Sequence, residues 1–184
     1  MGQYTRLTNI PWIDSMNAKV ILNNLKIPFL VGIWEKYLKS TFVVLIKCSS
    51  EREKIFKKLL NKTKLLPTYL NSFSKDSETV EWLLSEWLSF QRPKAIIENY
   101  QIIDSNIDIN AIFMKTASSQ QESLFEKIDH IIDIRNDIVH AGIIDATITD
   151  KIIHQYILEF IEAVDCIYHY IGDYFNLKLN EGYD

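Results

Sequence analysis

The chain has 184 residues, a formal net charge of −4 and a hydrophobic content of 47%. This length and composition predict one domain over residues 1–184, with an irregular lead-in to about residue 11 and a frayed tail from about residue 180. Five glycines and four prolines are few, which favours long helices over a turn-rich β fold. Because the chain is acidic, any attraction to a nucleic acid must be local.

The cysteines and the apolar segments indicate the compartment. Cys48 and Cys166 have no paired spacing and are predicted to be buried thiols in a reducing cytosol. The N-terminal residues lack the basic and then apolar pattern of a signal peptide. The most apolar stretch, residues 29–46, contains three charged side chains, which a transmembrane span would tolerate poorly. We therefore expect a soluble, cytoplasmic protein that does not cross a membrane.

Two helices are predicted in the first part of the chain. Asp14 or Ser15 provides the N-cap of a short helix that ends near Leu25. Pro28 then stands at the start of a long helix over residues 29–48, where proline is tolerated. The β-branched and aromatic residues near the middle of that helix would also suit a strand, but the length of the apolar pattern favours a helix.

A basic helix is predicted next, over residues 52–62, after an N-cap within residues 49–51. One interpretation is a surface that contacts RNA phosphates through four side chains: Lys54, Lys57, Lys58 and Lys62. The other interpretation is a helix face in water, which the pattern favours because runs of charge usually face solvent.

The middle of the chain is predicted to contain a loop and two further helices. A loop over residues 65–77 leads to a core helix over residues 78–90, whose buried side includes Trp87. Pro93 opens the next helix in its first turn, and this helix runs to Tyr100. A loop rich in aspartate and asparagine follows it.

The stretch IDHIIDIRNDIVHAG, which ends at Gly142, carries the most information. It lies on a helix predicted to run from about Gln120 to His140, with an N-cap within residues 118–122 and Gly142 as its C-cap. The apolar stripe of this helix consists of Leu124, Ile128, Ile131, Ile132, Ile138 and Val139. Arg135 falls in the middle of the stripe, where a guanidinium is costly to bury without a partner.

The polar side of this helix brings several groups together. Asn136 and His140 lie four residues apart and share a face with Asp129 and Asp133. Arg135 and His140 lie five residues apart, which in a straight α-helix places them roughly 140° apart around the axis. The two side chains of one copy therefore cannot point into the same site, whereas two copies of the helix brought face to face could supply both. We therefore expect a homodimer through this helix, with the C-terminal helix as a further contact.

A long amphipathic helix over residues 151–179 is predicted to close the fold, with Thr149 or Asp150 as its N-cap. The helices that carry Trp34, Arg135 and Phe160 are expected to form one all-α bundle.

Two carboxylate–histidine pairs have the four-residue spacing of metal ligands on a helix, Asp150 with His154 and Asp165 with His169. Neither pair has a third ligand nearby in the sequence, which favours ordinary surface residues. We expect no metal and no cofactor.

Residues 135–140, RNDIVH, resemble the R-x4-H motif of HEPN domains, in which a polar residue follows the arginine as Asn136 does here. Residues 29–39, FLVGIWEKYLK, resemble the Trp-Glu helix near the start of the RiboL-PSP-HEPN type. Together with the long closing helix, the resemblance covers most of the chain. It implies an all-α, HEPN-like bundle of four or five helices.

The resemblance also implies a function, that of a metal-independent endoribonuclease. The 2′-hydroxyl of the RNA attacks its own phosphate and leaves a 2′,3′-cyclic phosphate and a 5′-hydroxyl. Arg135 would hold the phosphate through its planar fork, His140 would exchange protons, and Asn136 would support both. The family further implies a homodimer with facing motifs, RNA as the substrate, a toxin–antitoxin or anti-phage setting, and an antitoxin as a protein partner.

The second interpretation is a non-catalytic, dimeric HEPN module that binds RNA, a nucleotide or a protein partner. Arg135 would then be a core arginine held by a carboxylate, and His140 would interact with the helix dipole. The nearby aspartates, such as Asp129 and Asp133, would either repel a phosphate or pair with Arg135 or His140. In one HEPN toxin type a tyrosine two residues after the histidine is modified by a partner enzyme. Gly142 occupies that position here, so this route of regulation is not expected.

Overall fold

A computed structural model describes residues 15–64, 80–114 and 122–177, although the side chains of residues 15–17 are not described. These residues form an all-α fold, as predicted. The predicted lead-in, the loop over residues 65–77 and the tail lie outside them. No helix in these three ranges is long and apolar enough to span a membrane. The helices are α1 Ser15–Cys48, α2 Arg52–Thr63, α3 Val80–Glu86, α4 Pro93–Ile103, α5 Asn110–Phe113, α6 Leu124–Asn136 and α7 Asp150–Tyr174, and a π turn, Asp137–Ala141, directly follows α6.

The core of the bundle is built around α1, which packs against α2, α3, α4, α6, α7 and the π turn. In the middle of α1, the ring of Trp34 lies 5.1 Å from that of Phe160 and 6.5 Å from that of Phe113, measured between ring centroids. Towards the C-terminal end of α1, Phe42 packs against the rings of Phe90 and Tyr100. The predicted packing of the helices that carry Trp34, Arg135 and Phe160 is confirmed, since α1, α6 and α7 contact one another.

Helix α7 lies beside α1 and runs in the same direction. Its first residue, Asp150, accepts ion pairs from Lys19 and Lys26 near the start of α1. Further along, Phe160 packs on Trp34. This register shows which residues of the two helices lie at the same height. A residue of α1 is level with the residue that lies as far along α7 from Phe160 as it lies along α1 from Trp34.

The prediction that Pro28 separates two helices is wrong, because α1 continues through it. A proline inside a helix removes one backbone hydrogen bond and costs about 3 kcal/mol. Tertiary contacts on both sides of Pro28 hold the helix together. Ile27 and Val31 are buried in the core, and one turn earlier Asn24 is hydrogen-bonded to a distant loop. The helical prediction for the segment after Pro28, against a strand, is confirmed.

Pro28→Ala is expected to raise the free energy of unfolding by about 2 kcal/mol. The helix gains about 3 kcal/mol in propensity, and the greater freedom of the unfolded chain removes about 1 kcal/mol of this gain. Urea unfolding followed by circular dichroism measures the difference. Gly32→Ala is the control on the same helix: its added Cβ meets no atom within 4 Å, so a gain of about 1 kcal/mol is expected. A loss of stability in Pro28→Ala would show that packing of the ring outweighs helix propensity.

The boundaries of the next three helices agree only partly with those predicted from the sequence. Helix α2 and the start of α4 at Pro93 agree with prediction. Helix α3 ends at Glu86, earlier than predicted, because side chains hold the carbonyls that follow it: Asn99 donates to the carbonyl of Ser89 at 2.7 Å. Trp87 therefore leaves the helix and is 66% exposed, so the prediction that it is buried is wrong.

Two further predictions differ from the structure. The thiol of Cys48, the last residue of α1, is exposed, and that of Cys166 is half-buried against the edge of the core. Helix α7 begins at Asp150, and Thr149 is its N-cap, as predicted, accepting from the N–H of Ile152 at 3.3 Å. It ends at Tyr174 rather than near residue 179.

Candidate active site at the end of helix α6

A capping box starts the helix that carries the motif. The Ser123 hydroxyl accepts from the N–H of Glu126 at 3.3 Å, and the Glu126 carboxylate accepts from the N–H of Ser123 at 2.8 Å. The bond from the Ser123 N–H, and then a bond that the Ser123 hydroxyl donates to the same carboxylate at 2.8 Å, lower the pKa of Glu126. The predicted start near Gln120, with a cap within residues 118–122, is wrong. The S-x-x-E pattern that forms the capping box runs from Ser123 to Glu126, just after the predicted range.

The helix changes its winding between Arg135 and His140. It is α-helical to Asn136, and Asp137–Ala141 then form a π turn, so the prediction of an α-helix to His140 is wrong. A π turn closes its hydrogen bonds over five residues instead of four. It therefore turns His140 back towards the face of Arg135 and Asn136. The straight-helix angle of roughly 140° overstates the separation of Arg135 and His140. This angle therefore does not by itself require two copies of the helix.

Gly142 ends the π turn as predicted, with a φ of +66°, in the left-handed region. Glycine adopts this conformation without steric cost, which is why it is common after a helix. Its N–H donates to the carbonyl of Ile138 at 3.2 Å, and the N–H of Ile143 donates to the carbonyl of Asp137 at 3.1 Å. The carbonyls of Asp137 and Ile138 are thereby satisfied.

Two asparagines of α1 fix the loop that follows the motif. Asn24 donates through Nδ2 to the carbonyl of Asp145 and accepts through Oδ1 from the N–H of Asp145, both at 2.9 Å. Asn23 donates to the carbonyl of Ile148 at 3.3 Å. Hydrogen bonds from Thr147, first from its side chain and then from its backbone, lower the pKa of Asp145. The sequence analysis missed both asparagines. Two adjacent asparagines inside a helix are a signal, because asparagine disfavours helices unless its side chain has another hydrogen-bond partner.

Arg135 is half-buried and has spare hydrogen-bonding capacity. Its Nη1 donates to Oδ1 of Asn136 at 2.9 Å. Its Nε is buried and has no hydrogen-bond partner among the described residues. Within the described ranges, no carboxylate lies within 4.0 Å of its guanidinium nitrogens. Arg135 and Asn136 thus form one polar unit whose cationic half has no anion in this part of the chain.

His140 and Val139 are both exposed at the end of the π turn. The other members of the predicted apolar stripe are buried, but Val139 is 47% exposed, so its placement in the core is wrong. The predicted stripe assumes 100° per residue throughout, and the wider π turn rotates Val139 out of it. The imidazole of His140 is accessible to solvent and to an incoming ligand.

Asp129 and Asp133 do not pair with Arg135, and that alternative is wrong. Both are held by Arg92, the N-cap residue of α4, which sequence reasoning missed. Nη1 of Arg92 donates to Asp129 at 2.8 Å and Nη2 donates to Asp133. These bonds, first the one to Asp133 and then the one to Asp129, raise the pKa of Arg92. Arg92 therefore partly offsets the charges of Asp129 and Asp133, and among the described residues no carboxylate forms an ion pair with Arg135.

The lysine-rich helix α2 faces solvent with several lysines already in contact with the chain. Lys54 donates to Glu51 at 2.9 Å, Lys58 to the carbonyl of Ile102 at 3.1 Å and Lys62 to Oδ1 of Asn99 at 2.9 Å. The last two are turned towards α4. Contact between RNA and Lys54, Lys57, Lys58 and Lys62 stays a prediction.

Neither carboxylate–histidine pair is joined by further ligands. His169 lies 3.5 Å from Asp165, and Asp150 is bound by the two lysines of α1. In the ranges that the structure covers, no group of three histidine, cysteine or carboxylate side chains could hold a metal.

An all-α bundle with an R-x4-H motif at the end of one helix has the features of a HEPN domain. The family model RiboL-PSP-HEPN matches residues 13–173, which include the motif and nearly all of α1 and α7. The chain therefore belongs to the RiboL-PSP-HEPN family, and the resemblance drawn from the sequence is confirmed. No curated protein and no solved structure shows a significant match.

Proposed function

We propose that this HEPN domain is a metal-independent endoribonuclease with Arg135, Asn136 and His140 in its active site. The observation that carries the proposal is the state of Arg135, a half-buried cation with a buried Nε that lacks a partner among the described residues. A buried donor without a partner costs about 1–3 kcal/mol. A phosphate oxygen would satisfy it, and a planar guanidinium can hold two such oxygens.

The motif contains the groups that the cleavage chemistry needs. His140 accepts the proton of the 2′-hydroxyl, the 2′ oxygen bonds to phosphorus, and the bond from phosphorus to the 5′ oxygen breaks. Arg135 stabilises the charge that develops on the phosphorane. Asn136 accepts from Arg135 through its oxygen, so its amide NH₂ points to another acceptor, either the imidazole or a phosphate oxygen. The products are a 2′,3′-cyclic phosphate and a 5′-hydroxyl.

A homodimer that brings two motif helices together completes this scheme. The reaction needs a base for the 2′ proton and an acid for the departing 5′ oxygen, and each copy brings one motif histidine. One copy would supply the base and the other the acid. As in the family, we place the enzyme in a toxin–antitoxin or anti-phage setting, with an antitoxin as a further partner.

The test is incubation of the purified protein with end-labelled single-stranded RNA and transfer RNA in excess EDTA, followed by identification of the new ends. Cleavage that leaves cyclic phosphates is expected. RNA that stays intact with every substrate, together with no growth defect on expression in cells, would contradict the proposal.

Arg92→Met is expected to slow this cleavage several-fold, because Asp129 and Asp133 regain their full negative charge on the helix that binds phosphate. The free energy of unfolding should fall by no more than about 1 kcal/mol, since ion pairs at the surface are weak. Cleavage rates relative to wild type at low and high salt measure the effect, and the ratio should approach one as salt screens the carboxylates. An unchanged rate at low salt would show that the two aspartates do not act on the site.

The alternative is a non-catalytic HEPN module that binds RNA, a nucleotide or a protein. The exposed carboxylates of Asp133 and Asp137 beside the motif favour it, because they repel a phosphate. Tight RNA binding without cleavage from acidic to alkaline pH would support this alternative.

A further inference from the structure

The apolar stripes of α1 and α7 are wider than the described part of the chain covers. On α1, residues spaced three, four and four apart expose one line of large side chains, and Phe29 is 73% exposed. On α7, four large side chains are exposed beside them. We call these side chains the outer face: Leu22, Leu25, Phe29 and Ile33 of α1, with Ile157, Leu158, Ile161 and Tyr168 of α7.

The two halves of the outer face are continuous. Ile33 of α1 and Ile157 and Ile161 of α7 line a single groove of about 750 Å³ between the parallel helices. Its floor is formed by Trp34 and Phe160 of the core. The two halves therefore meet at Ile33 in a furrow into which the side chains of another helix can pack, while the other three α1 members of the outer face line a neighbouring hollow.

The size of the outer face fits a contact between proteins. Its exposed fractions add up to about four whole side chains, or roughly 600–800 Å² at 150–200 Å² for each large side chain. The largest apolar patch on a typical monomer measures about 300–600 Å², and a standard interface buries about 800 Å² on each partner.

Charges of opposite sign line the two edges at matching heights. Lys36 and Lys47 lie on the exposed side of α1, and Glu162 and Asp173 lie on the exposed side of α7. Given the register set by Trp34 and Phe160, Lys36 is level with Glu162, and Lys47 is level with Asp173. At these two heights one edge is therefore basic and the other acidic. The groove between them is lined mainly by apolar side chains and by Asp165, and Lys151 is exposed at the start of α7.

We propose that a second copy of this chain docks on the outer face about a two-fold axis parallel to α1 and α7. Such an axis keeps every residue at its own height and exchanges the two edges, so α1 of each copy lies over α7 of the other. Lys36 of each copy then meets Glu162 of the other, and Lys47 meets Asp173. A two-fold axis perpendicular to the helices would instead place basic edge on basic edge.

This contact is separate from the motif contact of the proposed function. Asn24, which holds the loop after the motif, lies two residues from Leu22 and so roughly 200° around α1, on the buried side. A copy docked on the outer face leaves the motif uncovered. Self-association through this face and cleavage of RNA can therefore be measured independently.

The test compares the mass of the wild type and of Phe29→Lys by size-exclusion chromatography with light scattering at micromolar concentrations. Phe29 enters the contact twice, so the dissociation constant is expected to rise at least ~100-fold, and the mass should fall by half. Trp87→Lys is the matched control, because Trp87 is 66% exposed outside the outer face. Its mass should equal that of the wild type.

An equal mass for Phe29→Lys and wild type, with circular dichroism unchanged, would overturn the proposal. Charge exchange tests the arrangement. Lys36→Glu and Glu162→Lys should each weaken association several-fold, and an equimolar mixture of the two variants, or the double variant, should restore it. A double variant that associates no better than the single ones overturns the parallel axis. RNA cleavage by Phe29→Lys reports on the nuclease alone, so the two proposals fail separately.

Discussion

His140→Ala is expected to lower the rate of RNA cleavage by about 10²- to 10⁴-fold, the usual loss when a proton-transfer group is removed. In a composite dimeric site both the base and the acid disappear, so the loss should lie at the upper end of this range. Arg135→Ala should cost about 10²- to 10³-fold, because the developing charge on the phosphorane loses its cation. The measurement is the initial rate of cleavage in EDTA at saturating and at low RNA concentration.

The matched control is His130→Ala, since His130 is also exposed and lies on the same helix ten residues earlier. It should cleave RNA at the rate of the wild type. Arg135→Lys separates charge from geometry: lysine keeps the cation but lacks the planar fork, so a loss intermediate between wild type and Arg135→Ala is expected. Equal RNA decay with the wild type and both alanine variants would rule out the assignment of Arg135 and His140.

Trp34→Ala is expected to lower the free energy of unfolding by about 3–5 kcal/mol. Trp34 is buried, packs on the rings of Phe160 and Phe113, and donates through Nε1 to the carbonyl of Gln91 at 3.0 Å. Its removal leaves a cavity where α1, α5 and α7 meet, together with an unsatisfied carbonyl. Since whole domains are stable by only about 5–15 kcal/mol, this one change removes a large part of the total.

Urea unfolding followed by circular dichroism measures the loss in Trp34→Ala. Trp87→Ala removes a tryptophan of the same size from the surface, where a change within about 0.5 kcal/mol is expected. Trp34→Phe retains an aromatic ring but loses the indole N–H, so its cost should lie between the two. A cost for Trp34→Ala no larger than that for Trp87→Ala would show that the aromatic cluster does not hold the bundle together.

Features with a local cause could be predicted from the sequence. Pro93 at the first position of α4, Thr149 before α7 and Gly142 after the motif each satisfy a requirement of the neighbouring backbone. The all-α fold and the packing of α1, α6 and α7 follow from apolar spacing. The positions of Arg135, Asn136 and His140 on one helix end also follow from their spacing alone.

Features with a distant cause could not be predicted. The continuity of α1 through Pro28 depends on contacts with residues far along the chain, and Arg92 reaches aspartates 37 and 41 residues away. The π turn has no local sequence signature, yet it decides where His140 points. Part of the apolar stripe of α7 is exposed, although its spacing matches that of a stripe that faces a core. Sequence periodicity separates apolar from polar faces, but it does not tell whether an apolar face is covered by the same chain.

The asparagine contacts between α1 and the loop after the motif have a consequence for the order of folding. Asn24 and Asp145 are 121 residues apart in the chain, and Asn23 and Ile148 are 125 apart. Contacts of such high sequence separation carry a large loop-closure entropy and form late. During synthesis, α1 leaves the ribosome long before the motif loop exists. The proposed active site therefore stays incomplete in the nascent chain until the loop after the motif has formed and met α1.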